Sequence, residues 1–449
     1  MAETEVAEQD VVGKCCLTCS RGGAKMQCPC HNVFYCGTKC QGESWQEHKV
    51  YCTCYLRKQI EKRQQEVGRN AKELVVRWKE VGDIFLQQRR LVEAEECLSE
   101  AWRLDDMHAE DPSMRAGILE SLATLYSKTL RLTGAVECAA KALHIYKGMA
   151  PEGGSVPHAR MSVRMGQLMH VHGAHTHESQ SLDACALITA GFQELSGLVE
   201  PEHPEVVRAS LVVAKISHSC GENKENSAFL ANHAVRIVRQ AYPVDHPLAI
   251  FTMLKAGSIH AELGAWEKAE RLLHKGLQLL RRHHPRDDNT HWKLLKNLSR
   301  CKCALGQLDE ALKLRQQMVR IFRKLGHVKS DMGAHALRGV AAVLRKMGEP
   351  EAAEEKLDKA IDAAAAARNS PGLNGSVWYA LALCRIQRGD LAGARTAAKT
   401  SVIEYDKVGL QCGTSERARG LLKKLEEGEE VDDEDRCQCC GEISGAWWN

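Results

Sequence analysis

The chain has 449 residues, of which 44% are hydrophobic and 27% charged, and this composition excludes a collagen-like or wholly disordered protein. The formal net charge of +3 is too small to indicate a nucleic-acid or anionic-membrane surface. No run of about 18 apolar residues occurs, and the first ten residues are acidic rather than basic and apolar. We therefore expect no membrane segment or signal peptide, and residence in the cytoplasm, the nucleus or both.

The N-terminal region is distinguished by its cysteines. Residues 1–14 are acidic and predicted to be disordered. Of the 20 cysteines in the chain, nine lie between Cys15 and Cys54, which is unlike the even framework of a secreted disulfide protein. In a reducing compartment, such a cluster indicates a metal site.

The spacing of these residues predicts a two-zinc finger over residues 15–54. Structural zinc takes four thiolate or imidazole ligands, so eight candidates suit two Zn²⁺ ions without an open catalytic position. His48 and Cys52 are four residues apart, which predicts that both lie on one face of a helix. The candidate ligands are Cys16, Cys19, Cys28, Cys30, Cys36, Cys40, His48 and Cys52.

This segment resembles the MYND-type zinc finger from Cys16 to Cys52. The resemblance implies a cross-braced arrangement, in which one zinc binds Cys16, Cys19, Cys36 and Cys40. The second zinc would bind Cys28, Cys30, His48 and Cys52. Cys28 and Cys30 are separated by one residue where the family usually has two, so the alternatives to Cys28 are Cys15, His31 and Cys54.

The charge of the finger favours a peptide over DNA. With seven thiolates and two Zn²⁺, the segment from Cys15 to Cys54 carries a net charge of about −1, whereas a DNA-binding module is distinctly basic. The MYND resemblance implies binding of short proline-containing peptides. We therefore expect protein or peptide partners, and neither nucleic acid nor membrane.

From about residue 55 the hydrophobic pattern becomes helical. Residues 55–77 are predicted to form a charged linker helix, followed by a repeat array over 78–425. Trp78, Val81, Gly82 and Phe85 follow the first-helix pattern of a tetratricopeptide repeat, and the segment that begins at Ala94 follows its second helix.

Glycines mark the repeat. Gly264, Gly306, Gly348 and Gly389 recur at intervals of 42, 42 and 41 residues, each followed five residues later by an alanine. Extended backwards through Gly221, Gly173, Gly134 and Arg89, the series predicts eight helical hairpins. The array resembles long tetratricopeptide repeats of the kinesin light chain type and the C-terminal lobe of SET-and-MYND proteins. The predicted fold is mainly α: a small finger followed by an α-solenoid, whose inner surface suits a peptide.

The C-terminal residues 426–449 are predicted to be an acidic, disordered tail. Eight of the ten residues from Glu426 to Asp435 are acidic and none is basic. Cys437, Cys439 and Cys440, and the histidine tract from His170 to His177, are further metal candidates, although an exposed tail and an exposed turn are the simpler interpretations.

The sequence is consistent with two functions. The first is a zinc-binding interaction adaptor without enzymatic activity, in which the finger binds a short peptide and the array docks a second protein. The alternative is a relative of the SET-and-MYND lysine methyltransferases, because residues 217–223 imitate a motif of that family. Ser217 and Glu222 replace two of its defining residues, and no strand-rich region flanks it, which favours the adaptor.

Overall fold

The computed structural model describes residues 16, 18–19, 24, 26–28, 34–50, 52–88, 90–108, 111–129, 131–150, 152, 154–176, 181–219, 224–284, 287–324, 328–366, 372–407, 413–429 and 431. Of the segments predicted to be disordered, 1–14 and most of 426–449 lie outside these residues, as do Cys15, Cys30, His31, His177, Gly221 and the cysteines after Asp435. Within the described part of the chain, no helix is both long enough and apolar enough to span a bilayer.

The N-terminal finger is built from two short strands and a helix. Strands β1 (Met26–Gln27) and β2 (Phe34–Tyr35) pair in antiparallel fashion, with Met26 opposite Tyr35. A parallel bridge joins Cys16 to Phe34, and helix α1 (Thr38–His48) follows β2.

The remaining described elements are helices joined by short turns. In chain order they are α2 (Thr53–Val67), α3 (Glu73–Gln87), α4 (Leu91–His108), α5 (Pro112–Lys128), α6 (Leu132–Met149), α7 (Val156–Thr176), α8 (Ser181–Leu198), α9 (Pro204–Ser219), α10 (Lys224–Ala241), α11 (Pro247–Glu262), α12 (Trp266–His283), α13 (Asp288–Ala304), α14 (Leu308–Lys324), α15 (Asp331–Met347), α16 (Pro350–Ala366), α17 (Leu373–Gln387), α18 (Leu391–Asp406) and α19 (Gly413–Glu427).

These helices divide between two compact units. The first unit contains Met1–Ile145 with Arg323–Leu325, and the second contains Tyr146–Phe322 with Gly326–Asn449. In the second unit, α7 packs against α8, α9 against α10, α11 against α12, α15 against α16, and α17 against α18. The helices form an α-solenoid of repeats, and α19 packs against α18. In the first unit, α3 pairs with α4, and α5 packs against α4. From α3 to α18 the described chain contains sixteen helices, which is the number that the eight predicted hairpins require.

Each hairpin is closed by a small residue at one position of its second helix. The fourth residue of every second helix is Ala or Ser and has no exposed surface, so the two helices approach closely there. These residues are Ala94, Ala135, Ala184, Ser227, Ala269, Ala311, Ala353 and Ala394.

The hairpin turns explain the recurring glycines. Gly264, Gly306, Gly348 and Gly389 have φ between 76° and 82°, a left-handed conformation that favours glycine. Two earlier assignments were wrong: Gly134 lies inside α6 and Gly173 inside α7. The turn before α6 is closed by a hydrogen bond from the Arg131 N–H to the Tyr126 carbonyl at 2.9 Å, so it needs no glycine there.

The linker predicted over 55–77 is not one helix. Helix α2 ends at Val67 because Gly68 follows with φ of 88°, and α3 begins at Glu73. Helix α3 is therefore the first helix of the first hairpin, and the array starts five residues before Trp78. At the other end, α19 extends to Glu427, two residues beyond the predicted boundary.

Candidate metal centre

Four cysteines from three parts of the finger converge. Cys16 is held by its bridge to Phe34, Cys36 lies in the bend after β2, and Cys40 lies in the first turn of α1. Together with Cys19, their sulfur atoms all lie within 4.8 Å of one another. The Cys19 and Cys36 sulfurs are 3.5 Å apart.

A second group lies at the other end of α1. The Cys28 sulfur is 3.7 Å from the Cys52 sulfur and 3.3 Å from His48 Nε2, and all three residues are buried. Cys28 follows β1, His48 is the last residue of α1, and Cys52 immediately precedes α2. The chain therefore brings three ligands together from three separate elements.

Both groups have the dimensions of a zinc site. A tetrahedral ion with zinc–sulfur bonds of about 2.3 Å separates two sulfur ligands by about 3.8 Å. The measured separations of 3.5 and 3.7 Å are close to this distance. Thiolate and imidazole donors are also the ligands that Zn²⁺ prefers.

The electrostatics of the first group favour a bound cation. Burial raises the pKa of Cys16, but backbone N–H groups of Cys19, Cys36 and Thr18 outweigh it and lower that pKa to about 6. In contrast, hydrogen bonds to the Cys19 and Cys16 sulfurs, together with burial, raise the pKa of Cys36 to about 12. Burial and the same two sulfurs also raise the pKa of Cys40. A positive charge between these sulfurs would lower the pKa of Cys36 and of Cys40 and so favour their thiolate forms.

In the second group, the expectation that His48 and Cys52 share a helix is wrong, and the expected ligand Cys30 lies outside the described residues. His48 and Cys52 do not share a helix, because α1 ends at His48 and Cys52 has an extended backbone with φ of −78° and ψ of 99°. Cys28, despite the unusual spacing to Cys30, lies in the ligand group. Cys54 does not belong to either group, and Cys30 lies outside the described residues.

Aromatic side chains enclose the second group. The Tyr35 side chain is fully buried with its ring centroid 6.3 Å from that of His48, and the Trp45 ring is 5.9 Å from the same imidazole. Tyr55 of α2 packs edge-on against Trp45 at 5.4 Å. Burial also lowers the pKa of His48, which keeps the imidazole in the neutral form that binds metal.

Several contacts that the sequence did not predict connect the finger to the first hairpin. Arg90, in the turn before α4, donates a hydrogen bond at 3.1 Å to the Thr53 hydroxyl, next to Cys52. Arg57 and Arg90 both lie over the Phe85 ring, at 5.1 and 4.7 Å from its centroid. Ile60 of α2 is buried in the same core as Phe85. Finger, α2 and first hairpin are therefore packed together within the first unit.

The other predicted candidates do not assemble into a site within the described residues. His170, His172 and His175 lie inside α7 rather than in a turn, and those whose side chains are described, His170 and His172, belong to neither ligand group. Ser217 is buried in the last turns of α9, and residues 220–223 of the imitated motif lie outside the described chain.

Family profiles agree with this geometry. The profile described as MYND finger matches residues 16–52, and the profile described as tetratricopeptide repeat matches residues 290–366. The chain carries a MYND zinc finger and tetratricopeptide repeats. The first match spans the described ligand groups and the second spans α13 to α16, and neither profile describes a SET domain.

Solved structures are similar in fold. Human IFIT1, solved as a dimer with PPP-AAAA, is 16% identical with a TM-score of 0.52, over 86% of this chain and 82% of IFIT1. A putative kinesin light chain from Podosopora anserina with TPR-like repeats is 18% identical with a TM-score of 0.37, over 48% of this chain and 96% of its own. No curated protein sequence matches. At such identities, the similarity to IFIT1 shows the helical-repeat fold alone.

Proposed function

We propose that the protein is a non-enzymatic interaction adaptor whose finger holds two zinc ions. One ion is assigned to Cys16, Cys19, Cys36 and Cys40, and the other to Cys28, Cys30, His48 and Cys52. The observation that supports this most is the two ligand groups at opposite ends of α1, one of four cysteines and one of Cys28, His48 and Cys52, which Cys30 would complete. Ligand sets completed by protein side chains leave no open position for substrate, so the ions would hold the finger together.

The two parts of the chain would bind different proteins. For the finger, we propose a short proline-containing peptide, and for the repeat array a segment of a second protein. Stacked hairpins present a continuous inner surface, which suits an extended or helical segment. We propose an intracellular protein, because thiolate ligands persist in reducing compartments.

Metal analysis of the full chain tests the ligand assignment. Mass spectrometry should find about two zinc ions per chain, about one in Cys40→Ala, and about one in Cys52→Ala. Cys138→Ala is the matched control, because Cys138 lies in α6, outside both ligand groups. One zinc in the unaltered chain, or two zincs in Cys52→Ala, would contradict the assignment.

Peptide binding and cofactor binding then separate adaptor from enzyme. The adaptor requires that a panel of proline-containing peptides includes ligands for the full chain that Cys52→Ala loses and Cys138→Ala keeps. Calorimetry with S-adenosylmethionine at about 100 μM protein should give no binding heat. Saturable heat would instead support the methyltransferase alternative.

A further inference from the structure

The first helices of the hairpins in the second unit carry an unusual charge distribution. Helix α7 contains no acidic residue, and the acidic residues of α9, α13 and α15 are confined to their first turns. In α11, Glu262 at the last position is the acid. Basic residues, in contrast, lie in the middle of these helices.

Six of these basic residues occupy one face. Four of these helices each have a small residue on the side that packs against the rest of the array: Gly166 in α7, Ala214 in α9, Gly257 in α11 and Ser299 in α13. A Cβ on Gly166 or Gly257 would lie within 2.6 Å of a second-helix side chain, and Ala214 and Ser299 are fully buried. A helix turns by about 100° per residue, so each of the six basic residues lies about 100–160° around its helix axis from the small residue of that helix, always in the same rotational sense. We call them the basic stripe: Arg160, Arg164, Arg208, Lys215, Lys255 and Lys293.

The helices that carry the stripe lie side by side. Helix α9 contacts both α7 and α11, and α11 also contacts α13, although a second helix separates each pair in sequence. The stripe is therefore continuous across four hairpins of the second unit. Arg208 is exposed, and the other five residues are partly exposed.

The cations of the stripe are close enough to act on each other. The pKa of Lys255 is lowered to about 7, first by burial and then by the positive charges of Lys215, Lys293 and Arg164. The negative charge of Glu262 acts in the opposite direction. The Lys255 ammonium and the Arg208 guanidinium both approach the Phe251 ring, at 5.7 and 5.9 Å from its centroid. Arg208 also forms an ion pair with Glu205 at 2.6 Å. Crowding of like charge is unfavourable by itself and is relieved by a bound anion.

We infer that the basic stripe binds an acidic segment of a partner protein, in an extended conformation that crosses α7, α9, α11 and α13. This inference rests on the proposed function of the array and specifies the chemistry of its partner. Neighbouring helices lie about 8–10 Å apart, and a peptide in the extended polyproline II conformation has three residues per turn and rises about 3.1 Å per residue. Carboxylates three residues apart therefore lie on one face of the peptide, about 9 Å from each other, and reach cations on successive helices.

The aromatic residues near the stripe favour a peptide over single-stranded nucleic acid. Proteins that bind unpaired bases combine cations with exposed rings on which the bases stack. Here the Phe251 ring is approached by Arg208 and Lys255, and Trp292, beside Lys293, is only 1% exposed. Of these two described rings, Trp292 is buried and Phe251 is only partly exposed, with two cations beside it, so neither offers a base an open face on which to stack.

Fluorescence anisotropy with the full chain tests the inference. The probe is a labelled 12-residue peptide with Glu at every third position, and its Gln counterpart is the uncharged control. We expect binding of the Glu peptide at low salt, no binding of the Gln peptide, and at least a tenfold loss of affinity in Lys255→Met combined with Lys293→Met. Lys275→Met is the matched control, because Lys275 is exposed on α12 of the same hairpin as Lys255 and should keep the affinity.

Thermal unfolding shows whether a loss of binding results from unfolding of the variant. Lys255→Met removes a cation crowded by three others, so the variant should unfold at a higher temperature than the unaltered chain. Unchanged affinity in the double variant, or stronger binding of an unstructured RNA oligomer than of the Glu peptide, overturns the inference. A tenfold gain in affinity on truncation after Val431 also overturns it. Such a gain would mean that, in the full chain, the acidic residues after Val431 occupy the stripe. A partner that still docks on the array of the double variant overturns this inference and leaves the adaptor proposal standing.

Discussion

Removal of zinc should loosen α2 and the first hairpin, and leave the second unit unchanged. The link begins at Cys52, which precedes α2 directly, and continues through Thr53 to Arg90. If the second ligand group loses its metal, the N-terminal end of α2 loses the bonds that fix it. The packing of α2 against the first hairpin then weakens.

The size of this effect follows from the contacts that hold α2. Burial of Ile60, which is 2% exposed, contributes about 2 kcal/mol. The hydrogen bond from Arg90 to Thr53 contributes about 1 kcal/mol, and the position of Arg57 over Phe85 a further 0.5 kcal/mol or so. The partly exposed ion pair of Arg57 with Glu96 adds roughly 0.5 kcal/mol. Their sum, about 4 kcal/mol, corresponds to about a thousandfold change in the equilibrium for local opening.

Hydrogen exchange of the full chain, with and without a zinc chelator, measures this change. Amides of α2 and of the turn before α4 should exchange up to about a thousandfold faster after chelation, whereas amides of α17 and α18 should be unaffected. Arg90→Gln should reduce the effect on α4 because it weakens the link to Thr53. Unchanged exchange in α2, once metal analysis shows that the zinc has gone, would refute this coupling.

Three further outcomes are expected. Gly166→Ala should destabilise the second unit by about 1–3 kcal/mol in urea unfolding, because the added Cβ would lie 2.7 Å from the Ala184 carbonyl oxygen, whereas Gly420→Ala meets no atom within 4 Å and should be neutral or stabilising. Burial, with Lys268, lowers the pKa of His260 to about 4, so the folded chain binds fewer protons there and should lose about 3 kcal/mol as the pH falls from 6.5 to 4. His260→Gln should remove most of that loss in unfolding titrations; an identical pH slope in the variant would disprove it. Cys54→Ala should retain the zinc content of the unaltered chain, since Cys54 lies outside both ligand groups; loss of one zinc would show otherwise.

The fold was predictable where one physical requirement selects one residue type. A left-handed turn favours glycine, and close helix contact requires a small residue, so Gly264 and Ala269 locate a hairpin. The same reasoning fails where glycine serves the second purpose. Gly166 and Gly257 lie inside first helices at the contact with their partners, so a glycine alone does not distinguish a turn from a helix interior. Gly173, also inside a helix, was misassigned because of this ambiguity.

The ligand groups were only partly predictable from spacing. Four residues from His48 to Cys52 fit one turn of a helix, but they also fit the end of one helix followed by a turn. Spacing alone could not assign ligands to two ions, and the MYND resemblance was needed to separate Cys16 from Cys28. The contacts through Thr53 and Arg90 had no local signal, because these residues are 37 positions apart.

Net charge concealed the basic stripe because it averages over faces that point in different directions. The total of +3 includes the acidic run from Glu426 to Asp435, whereas the first helices of the second unit, α7, α9, α11, α13, α15 and α17, carry 13 Lys and Arg against 4 Asp and Glu. The two proposed binding surfaces therefore differ in their response to salt. A shorter screening length weakens attraction between an acidic peptide and partly exposed lysines, but has little effect on a proline-containing peptide held by apolar contact. If both surfaces act as proposed, raising the salt concentration should release the partner of the array before the partner of the finger, and a common salt response would show that one surface serves both.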